Sequence, residues 1–276
     1  MLKKYFIDSL KKLVGNEKKI AISLSSGIDS HCVLFGCLEL GVEVQLYNFN
    51  VQNVKSQDYI YSIQTAKIFN LPIINCSIPN KVNIDNVLKI INKYNKKKKV
   101  DVECIYPFLY LLPFVKEKVL LTGSASDGHF GISKKAMIHY KNDVEKLMKY
   151  RKSLFDNPDY AQRYTLNKIA ETEYGIKVKT PFGDSKIVEY FYYKKWDDIN
   201  RPKQKQSLLD MFPNQFKKIK IFNHTNLQCG DSMIREIFEP LLDNKKINIK
   251  NRIRVMDLYR DLYNENNNKQ MRLLND

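Results

Sequence analysis

Leu24-Ser25-Ser26-Gly27-Ile28-Asp29-Ser30 is the stretch on which the fold turns. An apolar run, Ile20 to Leu24, leads into it, and an apolar-periodic segment, Cys32 to Leu40, leads out. That order reads as strand, tight loop, helix. A small-residue loop at a helix start offers several backbone N–H groups to one anion. The serine hydroxyls add donors, and Gly27 lets the backbone come close to a ligand. Asp29 is out of place in a plain anion cradle; a carboxylate beside bound phosphates makes sense when it holds a Mg2+ that bridges them. The loop therefore points to a nucleotide pyrophosphate with its metal, set against the alternative of an ordinary Ser- and Gly-rich turn.

Working outward, residues 3–14 have helical spacing, and strands are expected at about 18–24, 42–49, 71–76 and 118–122. Helices are expected at about 28–40, 56–69, 84–94 and 102–114, with Gly41 as a helix stop and Pro107 near the start of the last. Strands alternating with helices at this spacing give right-handed crossovers and a parallel sheet. Ligands of such sheets bind at the carboxyl ends of the strands, which gathers the loops after Leu24, Phe49 and Thr122. Beyond about residue 133 the pattern turns mostly helical. The expected organisation is an α/β nucleotide-binding core over residues 1–132, with a mostly helical region, 133–276, packed on it and completing the site.

The loop after the fourth strand, Thr122-Gly123-Ser124-Ala125-Ser126-Asp127-Gly128-His129-Phe130-Gly131, is small, polar and carries one carboxylate. In a parallel sheet Asp127 falls near Asp29. Two carboxylates with phosphate oxygens and waters complete an octahedral Mg2+ shell. The plainer alternative is Asp127 as a helix N-cap.

Ser25, Gly27, Asp29 and Ser30 resemble the S-G-G-x-D-S signature of the PP-loop ATP pyrophosphatases, with Ser26 in place of the first glycine. Gly123, Ser126, Asp127, Phe130 and Gly131 resemble the S-G-E-G-S-D-E-x-F-G-G segment of the asparagine synthetase and β-lactam synthetase family. There Thr122 stands for the serine, Ser124 for a glutamate and Gly128 for a second acidic residue. Thr180-Pro181-Phe182-Gly183-Asp184 is similar to that family's R-x-P-F-L-D segment, and Arg201 to Leu209 to its K-x-x-K-x-x-L-R helix start. Asn226 to Ser232, with Gln228 and Gly230, is similar to its late Q-x-G-[ST]-G segment. The resemblance runs in order from about residue 18 to about 240.

The resemblance implies an adenine nucleotide alpha hydrolase-like fold that binds ATP and Mg2+. It places Leu24, Ser25, Ser26, Gly27, Asp29, Ser30, Thr122 and Gly123 at the nucleotide and Asp29 and Asp127 at the metal. Lys205 takes the position of the lysine that contacts the reacting phosphate, with Lys203 as the neighbouring alternative. The implied activity is an ATP-dependent carbon–nitrogen ligase, which adenylates a small-molecule carboxylate with release of pyrophosphate and then transfers ammonia or an amine to it. Ser124 puts asparagine formation itself in question, because the relatives' glutamate serves the acceptor or a proton. No cysteine precedes Cys32, so no glutaminase activity is expected. Nitrogen then comes from free ammonia, from an amine within the substrate, or from a separate amidotransferase subunit. Two alternatives stand beside this one: a PP-loop enzyme modifying a tRNA or other nucleic-acid base, and a degenerate, non-catalytic ATP-binding relative.

Composition narrows the setting. No apolar stretch approaches about 18 residues, and the N-terminus lacks a signal-peptide pattern, so a cytoplasmic protein away from membranes is expected. The five cysteines are odd in number and scattered, which fits free thiols in a reducing compartment, with Cys32 and Cys37 as small core residues. A net charge of +16 attracts polyanions. The lysines are spread along the chain in a Lys- and Asn-rich composition, so nucleic acid is the lesser reading, and Lys96 to Lys99 reads as a solvated loop. The histidines have no metal spacing. His129 reads as a solvent-facing loop residue or a ligand contact, and Trp196 with Tyr190 to Tyr193 as helix packing.

Overall fold

The computed structural model describes residues 1–96, 99–156, 162–222 and 232–243. His224, Gln228, Cys229 and Gly230 lie outside these residues, as do Lys97 and Lys98 of the lysine run.

Five strands form one all-parallel sheet in the order β3-β2-β1-β4-β5. They are β1 (Lys19–Ser23), β2 (Glu43–Val51), β3 (Ile73–Ile78), β4 (Val119–Leu121) and β5 (Lys177–Lys179). The helices in chain order are α1 (Leu2–Val14), α2 (Ile28–Glu39), α3 (Gln57–Ile68), α4 (Ile84–Leu88), α5 (Lys99–Ile105), α6 (Phe108–Leu111), α7 (Ser126–Phe130) and α8 (Lys134–His139). They continue with α9 (Val144–Phe155), α10 (Gln162–Tyr174), α11 (Ser185–Tyr192), α12 (Trp196–Asn200), α13 (Gln206–Leu209), α14 (Pro213–Phe216) and α15 (Ile234–Asp243). The fold is α/β, as the strand–helix alternation predicts.

The central strand β1 is buried on both faces, which is why its sequence is an unbroken apolar run rather than an alternating one. Ile20 and Ile22 face a core shared with Phe6 and Leu10 of α1, Phe35 of α2, Phe191 of α11 and Leu208 of α13. Ala21 faces the opposite core, with Tyr47, Phe49, Leu120, Ile169 of α10 and Phe238 of α15. Ile22 lies opposite Leu46 of β2 on one side and Leu121 of β4 on the other. Strand order reverses between β1 and β4, so the crevice of this sheet opens where their two loops leave it.

Two local expectations are corrected. The helix expected over 102–114 is broken into α5, α6 and a 3-10 turn, Leu112–Phe114. Pro107 has no N–H and its ring collides with the carbonyl four residues back. The helix expected over 84–94 changes after Leu88 into a π-helical turn, Lys89–Lys93. The region beyond 133 is mostly helical, as expected, with one short strand added. It returns to the sheet as β5, where Lys177 N–H donates to the Lys118 carbonyl and Thr122 N–H to the Lys179 carbonyl, both at 2.9 Å.

Candidate active site at the β1 and β4 loops

The loop after β1 is tied by its own side chains. Ser25 N–H donates to Ser30 Oγ at 3.2 Å and Gly27 N–H to Ser25 Oγ at 3.1 Å, while the two hydroxyls lie 3.1 Å apart. A second grip comes from α3. Both the N–H and the hydroxyl of Ser26 donate to Asp58 Oδ1, at 2.6 and 2.8 Å, and Asp58 is buried. His31 completes it: Nδ1–H donates to the Gly27 carbonyl at 2.8 Å, so Nε2 must accept from Thr65 Oγ1, 2.9 Å away. Burial lowers the His31 imidazole to about 4, which keeps it neutral. Ser26, the departure from the glycine signature, is thus the residue by which α3 holds the loop.

Above the loop, α2 begins at Gly27 without a capping side chain. Its first amides have no intrahelical partner and carry the positive end of the helix dipole, an arrangement suited to an anion. The β4 loop closes against this end. A Cβ on Gly123 would lie 2.7 Å from Ser30 N and 2.8 Å from Asp29 Cβ, so only glycine permits the two backbones to meet.

The rest of the β4 loop is built around hydroxyls. Thr122 Oγ1 and Ser124 Oγ are 2.8 Å apart, and Thr180 Oγ1, just past β5, donates to the Ser124 carbonyl at 2.7 Å. Ala125 caps α7 with φ +73°, a left-handed conformation that costs a side-chain-bearing residue about 1 kcal/mol or more. This turn aims Ser126 at Asp29, with Oγ donating to Asp29 Oδ1 at 2.7 Å. Asp127 is the second residue of α7 and does not cap it; the capping alternative is corrected here.

Asp29 and Asp127 converge on one cation, the ammonium of Lys205. Its Nζ donates to Asp29 Oδ2 at 2.5 Å and to Asp127 Oδ1 at 2.6 Å. Lys205 is 2% exposed, whereas the Asp127 side chain is half open to solvent. Lys203 is exposed and makes neither contact. The Lys205 backbone has φ +59° and is pinned by Asn200, whose Oδ1 accepts from Lys205 N–H at 3.1 Å. The Asn200 amide group in turn donates to the carbonyls of Phe130 and Trp196. Ala125 and Lys205, both left-handed and neither asparagine nor glycine, thus stand at one site, and such strain gathers where geometry is functional.

Burial disfavours the Lys205 charge, yet the two carboxylates overrule it and raise the ammonium above its ordinary range. Burial likewise pushes the Asp29 carboxyl up, opposed by Lys205 and reinforced by Asp127. The Lys205 ammonium is thus held between the two carboxyl groups by a hydrogen bond to each. Among the described residues no three His, Cys, Asp or Glu side chains converge as a metal set. A pair of carboxylates holding one cation is nonetheless the all-oxygen donor set that suits a hard ion completed by phosphate oxygens and water.

His129 is corrected outright. It is buried, stacked between Phe155 and Phe191 at 4.3 and 4.8 Å, and its Nε2 donates to the Phe182 carbonyl at 2.7 Å. Burial lowers it to about 3, so it is a neutral core residue. Trp196 packs as expected, donating to the Gly131 carbonyl at 3.3 Å. A surface depression of about 330 Å3 lined by Leu38, Phe69, Gln215 and Lys218 lies toward the far end of α2, away from the triad. Asp58 and Asn200 escaped the sequence reading, since nothing in their spacing marks the partners they find; Ser126 enters it only as a motif match, without its bond to Asp29.

No family model matches the chain, and no curated protein does. Solved structures overlap it, among them these two. A U34-tRNA thiolase, NcsA, from Methanococcus maripaludis with its 4Fe-4S cluster is 14% identical, covering 95% of this chain and 78% of that one at a TM-score of 0.34. An NMN synthetase from Francisella tularensis is 15% identical, covering 82% of this chain and 99% of that one at a TM-score of 0.37. Likenesses of this size leave the fold to the sheet topology and the chemistry to the residues of the site. No helix among the described residues is long and apolar enough to cross a membrane.

Proposed function

We propose that this protein is an ATP-dependent ligase that adenylates a substrate carboxylate and transfers ammonia or an amine to it. The observation that carries the reading is the convergence of Asp29, Asp127 and buried Lys205 beside the uncapped start of α2, at the reversal point of the sheet. The loop residues Leu24, Ser25, Ser26, Gly27 and Ser30, with Thr122 and Gly123, border the nucleotide phosphates. The amides of α2 and the serine hydroxyls bind them. Asp29 and Asp127 would hold Mg2+, which when bound would supply charge neutralisation on the phosphates. A carboxylate oxygen forms a bond to the α-phosphorus, the bond to the β-phosphate oxygen breaks, and pyrophosphate leaves with the electron pair. Lys205 stabilises the charge that builds on those oxygens. Nitrogen then attacks the acyl carbon and AMP departs. The chain's contribution is chiefly positioning and electrostatics. Ser124 offers a hydroxyl where the resembling family has an acid, so the acceptor's proton has no carboxylate at that position.

The deciding experiment is pyrophosphate release from ATP and Mg2+ by the purified chain beside Asp29→Asn, with and without a pool of amino acids and ammonium. Release that needs one added acid and is lost in the variant is the expected result. Release that ignores every small acid but responds to tRNA moves the reading to nucleic-acid modification, for which the net charge of +16 is the motive. Nucleotide binding with no release under any condition marks a non-catalytic protein.

A further inference from the structure

The Lys205 ammonium occupies a position that reaches both carboxylates at once. It stands 2.5 Å from Asp29 and 2.6 Å from Asp127, at 2% exposure. A cation entering between the carboxylates must displace it. A buried ammonium stripped of its partners is strongly unfavourable, so it cannot leave unless another anion receives it. The backbone does not follow the side chain, because Asn200 holds Lys205 N–H and the Leu208 N–H donates to the Lys205 carbonyl at 2.9 Å. Any exchange of partners at Nζ therefore falls to rotation of the lysine side chain about a fixed Cα. The anion-binding end of α2 lies within the same site, since Asp29 is the second residue of that helix.

From this arrangement we infer that Lys205 is an internal counter-ion exchanged for the metal: it fills the cation position until a polyphosphate arrives, then passes from the carboxylates to the phosphate oxygens as the divalent ion takes its place. This inference rests on the site assignment given above and adds a linkage to it. Divalent ion and polyphosphate bind together, and neither carboxylate is left bare in either state. The lysine excludes a free metal ion, which keeps the pair of carboxylates from being occupied unproductively.

The test uses Mn2+ as the probe, read by its electron paramagnetic resonance signal and by thermal shift of the full chain. Wild type, Lys205→Met and Lys205→Met/Asp29→Asn are titrated with Mn2+ alone. With the lysine gone, the ammonium charge between the two carboxylates is lost. Mn2+ should then bind Lys205→Met about tenfold or more tighter than wild type and raise its melting temperature, and the double variant should lose this gain. Lys205→Gln, which keeps a hydrogen-bond donor without the charge, carries the same expectation if the methionine variant does not fold. In wild type, Mn2+ binding should strengthen about tenfold when α,β-methylene-ATP is present, beyond what Mn2+ binding to the analogue in solution accounts for. Equal Mn2+ affinity in wild type and the lysine variants, or tight binding to wild type without the analogue, overturns the exchange. Pyrophosphate release is not read in this experiment, so a failed ligase assignment and a failed exchange are separate outcomes.

Discussion

Lys205 and Arg151 are both almost inaccessible, at 2% and 1% exposure, yet they are held in opposite ways. Lys205 faces two carboxylates from two different loops. Arg151, on α9, donates among the described residues to carbonyls alone: Nε to His129 at 2.8 Å, and Nη1 to Phe191, Tyr192 and Lys194 at 2.6, 3.1 and 2.7 Å. Those last carbonyls end α11, so Arg151 satisfies acceptors a helix terminus leaves open and meets the negative end of its dipole. Burial without a carboxylate partner pulls its guanidinium down to about 10, whereas Lys205 is raised. The difference teaches what each cation is for. A cation matched to two carboxylates stands where, by the exchange proposed above, another cation could take its place while the chain stays folded. A cation threaded through backbone carbonyls is part of the fold itself.

The sharpest way to break this comparison is to remove each cation. Lys205→Met should lower pyrophosphate release by about 100- to 1,000-fold with the fold retained, as steady-state kinetics and circular dichroism would report. Arg151→Met should do the reverse. Four backbone acceptors lose their donor, so urea denaturation should show a loss of about 3 kcal/mol, with turnover per folded molecule unchanged. If Arg151→Met cut turnover while leaving stability intact, the division between the two cations would be wrong.

Acid sharpens the comparison next. His31 beneath the β1 loop and His129 against Arg151 are lowered from 6.5 to about 4 and about 3. Between those values and 6.5 the unfolded chain binds protons that the folded chain refuses. Stability is therefore full above about pH 6.5 and declines as pH falls, by roughly 2 kcal/mol per histidine at pH 5. Urea midpoints measured from pH 7 to pH 5 should show that decline, and His129→Gln should remove about half of it. The smallest effects concern the grip of α3. Asp58→Ala should cost about 2 kcal/mol and Ser26→Gly under about 1 kcal/mol in thermal melts, because glycine keeps the amide bond to Asp58.

The β1 loop and the helix behind it were legible because their signal is local: an apolar run, a small-residue turn and a periodic segment. The parallel sheet followed from the same rhythm repeated. The β5 strand was not legible, since three residues carry no run and only the pairing with β4 makes them a strand. Asp29 and Asp127 were drawn together by topology alone. Which lysine would join them rested on an alignment in which Lys203 and Lys205 stood two residues apart. Burial separates the two, and burial is a property of the whole fold. Asp58, Asn200 and Arg151 were silent for the same reason. Each acts through a side chain meeting a distant loop or carbonyl, and nothing nearby in the sequence announces the meeting.

The distance along the chain between Asp29 and Lys205, 176 residues, has a consequence for synthesis. Asp29 leaves the ribosome early, and the ammonium that neutralises it is made only after β5 and α12 have followed. Contacts this far apart close late in folding. A nascent chain holding β1 to β4 therefore carries Asp29 without the ammonium of Lys205, and the arrival of α12 and the residues after it supplies that cation at the carboxyl end of the sheet.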